Sequence, residues 1–299
     1  MVSLRQIEYL VTVVDEGTFT RAAALLHVTQ PALSHQIQAL ERSVGATLLE
    51  RASRGAHLTP AGRAFLPHAR AVLSDAANAL SAARQSVGLA GGELRLATTY
   101  SISLGLLPAA LRLWSRRHPD VDIRLYEHRH SDELMKAMAG GQADLAIGPR
   151  PSDWTGPIHT LGIEGFVIAV SRDDPLAVRH ATEVDLGELR ERRWVHYAPD
   201  NGLADVLNLA CARAAFQPNI AVRTEQTASA PILAAAGLGP ALVPANIVPD
   251  GYEGYALRPS PGVHRELTAY ARTVPDALVS AFLVILKEST RERLSRPAS

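Results

Sequence analysis

The sequence predicts an α/β protein in three parts: an N-terminal winged helix-turn-helix, one long connecting helix, and a larger α/β region. Three observations carry this. The stretch "TRAAALLHVTQPALSHQIQALERSVGATLLER", residues 20–51, joins two apolar-striped helical segments across the break His27-Val28-Thr29. From Pro60 a heptad-spaced apolar pattern runs on for about 30 residues. From Gly91 onward, short β-rich runs alternate with helical ones.

Size and composition agree. A chain of 299 residues exceeds one comfortable core, since single cores stop growing near roughly 250–300 residues. With 47% apolar and 20% charged residues the chain is globular, and 30 acids against 30 bases leave no charged tail to announce a partner. Lys136 and Lys287 are the only lysines, so the positive charge is almost all arginine, the planar bidentate donor. The single cysteine, Cys211, permits no internal disulfide and fits a reducing cytoplasm. Its neighbours Ala210, Ala212, Ala214 and Ala215 suit a helix core position better than a reactive thiol. "MVSLRQIEYL" is not a signal peptide, and no apolar segment approaches the ~20 residues of a membrane span. The expectation is a cytoplasmic protein with no membrane partner.

The first helix opens at Ser3, spaced from Gln6 as in a capping box, and carries Leu4, Ile7, Leu10, Val11 and Val14 until Gly17 stops it. Thr18 caps a second helix of small residues. Thr29 caps a third, with Pro31 in its first turn, a buried stripe of Leu33, Ile37, Leu40 and Val44, and Gly45 at its end. Beside that stripe, Gln30, Pro31, Ser34, His35, Gln38 and Arg42 share an arc of about 140°. Such a face is either ordinary solvated polarity or a surface for base edges. Gln offers a donor and an acceptor in one plane, matching adenine, and Ala32 suits a thymine methyl. Glu41, the only acid on the arc, lies near the helix end. The tight break before this helix favours the DNA reading. "LLERASRGAHLTPAG" then reads as two short strands, a wing whose Arg51 and Arg54 suit phosphate or the minor groove.

Over "GTFTRAAALLHVTQPALSHQIQALERSVGATLLER…LTPAG" the chain resembles the LysR-type transcriptional regulators, nearly end to end and without gaps. The resemblance implies a bacterial regulator that binds DNA as a dimer or tetramer, answers a small co-inducer and works with RNA polymerase. By position it implies DNA contacts at Thr29, Gln30, Pro31, Ser34, His35, Arg51 and Arg54. The chain departs at His35, where the family usually has Arg; a His is shorter and mostly neutral at pH 7.

Thr59-Pro60 is a further cap and first-turn proline. Leu66, Ala69, Leu73, Ala76, Leu80, Ala83 and Val87 then alternate in steps of three and four, a seam roughly 45 Å long. So thin a seam, flanked by polar residues, buries best against a second copy of itself. Two heads joined that way meet two half-sites, so the operator should be a rough palindrome.

In the remainder, "ELRLAT", "DIRLYE", "ADLAIG", "GFVIAV", "RWVHY", "IAVRT" and "PALVP" read as strands and the runs between them as helices, implying parallel sheets covered on both faces. There are too many strands for one small sheet, so two lobes follow. The resemblance implies a periplasmic-binding-protein-like pair, with boundaries at 1–59 for the DNA-binding head, 60–90 for the linker helix and 91–299 for the effector region. Its first lobe would hold 91–161 and 267–299, its second 162–266.

Ligands in such sheets sit beyond the strand ends. The loops there offer Thr99, Tyr100 and Ser101, then Ser131, then Asn201 and Gly202, then Thr227, with Arg150 as a clamp for a carboxylate. Simple helix capping explains each loop singly; the facing lobes that the resemblance implies would bring them together on a small, anionic effector between the lobes. His128 and His130 lack a spaced set of further ligands, so no metal is expected. "GLGPAL" is no dinucleotide fingerprint, and no Walker loop, HExxH or nucleophile elbow occurs. No cofactor and no enzymatic activity are expected.

Overall fold

The computed structural model describes residues 2–52, 55–86, 92–179 and 181–294, without the side chains of 51, 52, 78, 81, 82, 84–86 and 292. They form two compact units: residues 1–92 with Lys136–Ala143, and the rest of the chain.

In the first unit, α1 (Leu4–Glu16) opens with a complete capping box between Ser3 and Gln6. The Thr18 hydroxyl, accepting from the Arg21 N–H, starts α2 (Phe19–Leu25). His27 turns the chain with a left-handed φ of 53°, a region histidine tolerates better than most residues. Thr29 caps α3 (Gln30–Val44), and Gly45 ends it with φ 78°. Leu10, Val13, Ala22, Leu33, Ile37 and Leu40 form the core between these helices. The wing follows as β1 (Leu49–Ala52) and β2 (Gly55–Leu58), antiparallel with Ala52 opposite Gly55.

The connecting helix is α4 (Pro60–Ser86), with Pro67 in its interior where no N–H returns to the preceding turn. It lies against α1, and Arg70 pairs with Asp15. Along the heptad seam, Ala69 is buried and Leu66, Leu73 and Ala76 are half-buried, whereas Leu80 and Ala83 are exposed. Val87 lies outside the described residues.

The second unit begins with β3 (Gly92–Thr99), α5 (Tyr100–Gly105), α6 (Leu107–Arg117) and β4 (Val121–His128). The helical run expected between "ELRLAT" and "DIRLYE" is thus divided at Leu106, with Pro108 in the first turn of the second piece. Then come α7 (Ser131–Ala139), whose residues from Lys136 on belong to the first unit, β5 (Leu145–Pro149), the 13-residue β6 (Ile158–Val170), α8 (Pro175–Val178) and β7 (Glu183–Asp185). They are followed by β8 (Arg193–Tyr197), α9 (Gly202–Arg213), β9 (Asn219–Thr224), α10 (Ser229–Ala235) and β10 (Ala241–Pro244). The unit closes with β11 (Tyr255–Ser260), β12 (His264–Tyr270) and α11 (Ala277–Leu294).

The main sheet runs β4-β3-β5-β12-β6-β11-β7, with β10 also on β6, and β8 pairs with β9 separately. The expectation of parallel sheets holds for β3 with β5, β11 with β7, and β8 with β9. It fails at the centre, where β12 is antiparallel to both β5 and β6, and β10 and β11 are antiparallel to β6. There the 13-residue β6 takes an antiparallel partner along each half, β12 along Ile158–Gly165 and β10 and β11 along Phe166–Val170. Two apolar cores result. One gathers Leu94, Ile102, Trp114, Ile147, Phe282 and Leu286; the other Val167, Trp194, Tyr197, Leu207, Cys211 and Leu242.

Candidate functional site

The α3 face is described apart from the wing tip. Thr29, Pro31, His35, Gln38 and Arg42 are exposed and Gln30 is half-exposed. Ser34, expected on the same face, is 9% exposed; it flanks the stripe of Leu33 and Ile37 too closely to project outward. Two neighbours of the face are engaged inside the unit. Gln36 accepts a hydrogen bond from the Gln6 side chain at 3.2 Å. The Glu41 carboxylate accepts from the backbone N–H groups of Leu48 and Leu49 at 2.8 and 3.1 Å. The one acid on the arc is therefore turned to the start of the wing, and what remains outward is neutral or basic. Arg54 lies outside the described residues, and Arg51 stands in β1 with its side chain outside them.

A second site lies within the second unit, as a cavity of about 240 Å³. Thr99, Tyr100 and Ser101 at the β3–α5 junction, Ser131 at the start of α7, Asn201 and Gly202 at the start of α9, and Thr227 before α10 all line it. Arg150 is not among the lining residues; its guanidinium meets Glu266 at 3.2 Å. The lining arginines are instead Arg129 and Arg265, which sequence reading passed over. Arg129 stands between His128 and His130, and the sequence leads to no expected strand around Arg265.

Register brings Arg265 in. On β12 it stands directly opposite Glu164 of β6. The Nε–carboxylate distance is 2.5 Å, Nη2 donates to Ser101 Oγ at 2.8 Å, and the guanidinium lies over the Phe166 ring. Asn246 Nδ2 donates to the other oxygen of Glu164 at 2.8 Å. Arg129 binds Asp200 at 2.5 Å and Glu225 at 3.8 Å, while its carbonyl accepts the Gly202 N–H at 3.0 Å. This clamp joins the β4–α7 loop to the loops before α9 and α10. It also holds the Asp200 carboxyl below its ordinary value.

His130 and Asp205 meet at 3.0 Å beside the clamp. His130 Nδ1 accepts from the Asp132 N–H at 3.1 Å, so Nε2 carries the proton toward Asp205. Burial lowers the His128 pKa, and its Nε2 has no partner among the described residues. Also among the described residues, no group of three or more His, Cys, Asp or Glu converges to hold a metal ion, and no helix is long and apolar enough to cross a membrane. Cys211 is fully buried, and desolvation pushes its thiol up to about 12.

Comparisons with known proteins bear on both units. Residues 4–63 match the family model of the bacterial regulatory helix-turn-helix protein, lysR family, and residues 87–291 match the LysR substrate binding domain. AlsR of Bacillus subtilis, an HTH-type transcriptional regulator, is 30% identical over 249 residues, 81% of this chain and 80% of that one. Among solved structures, a full-length OxyR variant from Pseudomonas aeruginosa superposes with a TM-score of 0.75 at 22% identity, covering 97% of this chain and 95% of that one. Full-length CbnR complexed with its target DNA superposes with a TM-score of 0.66 at 25% identity, covering 97% and 99%.

Proposed function

Because the chain belongs to the LysR family of DNA-binding transcriptional regulators, which are not enzymes, we propose that it reads a palindromic operator through α3 and the wing and answers a small carboxylate effector held in the cavity of its second unit. The observation that carries this is the outward face of Gln30, Pro31, His35 and Gln38 with its only acid turned away. A groove-reading helix needs neutral donors and acceptors on its exposed side and no carboxylate facing phosphate.

In this reading residues 1–59 are the head, 60–90 the dimerising connector and 91–299 the effector region, with lobes of 91–161 plus 267–299 and of 162–266. Exposed Leu80 supports the connector's role in a homodimer or homotetramer. The protein works in the cytoplasm, beside RNA polymerase. Effector occupancy changes operator affinity or bending in proportion to the ligand's differential affinity for the two arrangements.

The test is fluorescence anisotropy of the full chain on its own upstream DNA across a salt series. The expected result is sequence-selective binding whose logarithm falls linearly with log salt. Equal binding to scrambled DNA at every salt concentration overturns it.

A further inference from the structure

We infer that the cavity is built for a small zwitterion, a molecule of α-amino-acid type carrying one carboxylate and one ammonium. This rests on the cavity being the effector site. The anion expected from the sequence keeps its carboxylate and gains a second, opposite charge.

The first argument is charge. Arg129 and Arg265 line the cavity, but neither is an unmatched cation: Arg265 faces Glu164, which is 1% exposed, and Arg129 faces Asp200 and Glu225. Asp205 also lines the cavity and meets His130 Nε2 at 3.0 Å. Each guanidinium is thus matched by a carboxylate of its own, Arg265 by Glu164 and Arg129 by Asp200, while Asp205 lines the cavity with only a histidine beside it among the described residues. A second carboxylate on the ligand would meet Asp205 and two guanidiniums already matched, whereas an ammonium beside the first carboxylate would meet an acceptor.

The second argument is donor supply. Thr99 is 6% exposed, lines the cavity, and its hydroxyl has no partner among the described residues. Ser101 Oγ accepts from Arg265, and Thr227 Oγ1 accepts from Asn201 Nδ2 at 3.4 Å. As acceptors in those bonds, both hydroxyls keep a proton to donate. Neither bond of Arg265 uses its Nη1. Hydroxyl donors beside a guanidinium are what an acceptor-only carboxylate requires. Asp205, on α9, then supplies the acceptor for the ammonium. The volume of about 240 Å³ falls below the ~300–1,000 Å³ of sites for drug-sized ligands, which limits the occupant to a small metabolite.

The test is calorimetry and thermal shift of the full-length protein with the proteinogenic L-amino acids, each beside its 2-deamino acid and its decarboxylated amine. At least one amino acid is expected to bind, with both analogues weaker by about tenfold or more, the size of one charge-assisted contact. Asp205→Asn should weaken that amino acid about tenfold and leave its deamino analogue unchanged, whereas Thr99→Val should weaken both. A panel in which no amino acid binds overturns the zwitterion proposal. So does tight binding of a carboxylate that Asp205→Asn leaves intact; if Thr99→Val still weakens that carboxylate, the effector-cavity reading survives. A ligand that binds indifferently to both substitutions defeats the cavity reading as well.

Discussion

Arg265 and Glu164 face each other across β12 and β6 as direct register partners, their charges 2.5 Å apart and nearly closed to solvent. The pair sits where the two return strands run together. Through Ser101 and Asn246 it also reaches the β3–α5 junction and the segment after β10. Removing one member leaves the other buried and unmatched. Glu164→Gln should therefore cost about 3–5 kcal/mol, read as a lower urea midpoint, while replacing both residues by Met should recover much of the loss.

Gly62, in the first turn of α4, is a matter of space. A Cβ there would stand 2.1 Å from the Leu48 carbonyl oxygen. The approach is enforced by Thr59, whose hydroxyl accepts from the Gly62 N–H at 2.9 Å and donates to the Thr47 carbonyl at 2.7 Å. Gly62→Ala should destabilise the first unit by about 1–3 kcal/mol, seen as a lower melting temperature. Operator binding should fall with it.

On the α3 face, Gln30→Ala or Gln38→Ala should lose about 1–3 kcal/mol of discrimination between operator and mutated operator. Gln36→Ala, which removes only the bond to Gln6, should leave discrimination unchanged. Substituting His35→Arg should tighten binding and steepen the salt dependence by about one phosphate contact. Gel shifts at two salt concentrations separate the three.

Alkaline stability follows from two buried groups. Desolvation raises Cys211 from 9.0 to about 12 and Tyr252 from 10.0 to about 12. Between those values the unfolded chain has released protons that the folded chain keeps. Stability is thus whole below pH 9 and falls as pH rises toward 12. Cys211→Ala should flatten that fall in urea titrations repeated across pH. A thiol reagent at pH 8 should label Cys211 only at the rate of unfolding.

What was legible in the sequence was local. Ser3 with Gln6, Thr18, Thr29 and Gly45 act within one helical turn, and each does in the structure what its spacing implied. Loop position was legible too: Thr99, Ser101, Asn201 and Thr227 meet at one cavity because each ends a strand or starts a helix. Long-range register was not. Nothing near Arg265 in sequence says that Glu164, 101 residues away, stands opposite it. Arg150 drew attention by following a strand, yet Glu266 holds it. The last helix, α11, was missed because its apolar residues run almost all round, leaving no stripe to detect.

Glu41 has a mechanical meaning beyond keeping negative charge off the exposed α3 face. By fastening the last turn of α3 to the backbone at Leu48 and Leu49, it makes the helix and the wing one lever with a fixed angle between its arms. If α3 and the wing contact DNA as proposed, the distance between those two contacts is set before DNA arrives. Such a head would work as a gauge: it would tolerate changes in the bases it touches more readily than an inserted or deleted base pair between its two points of contact.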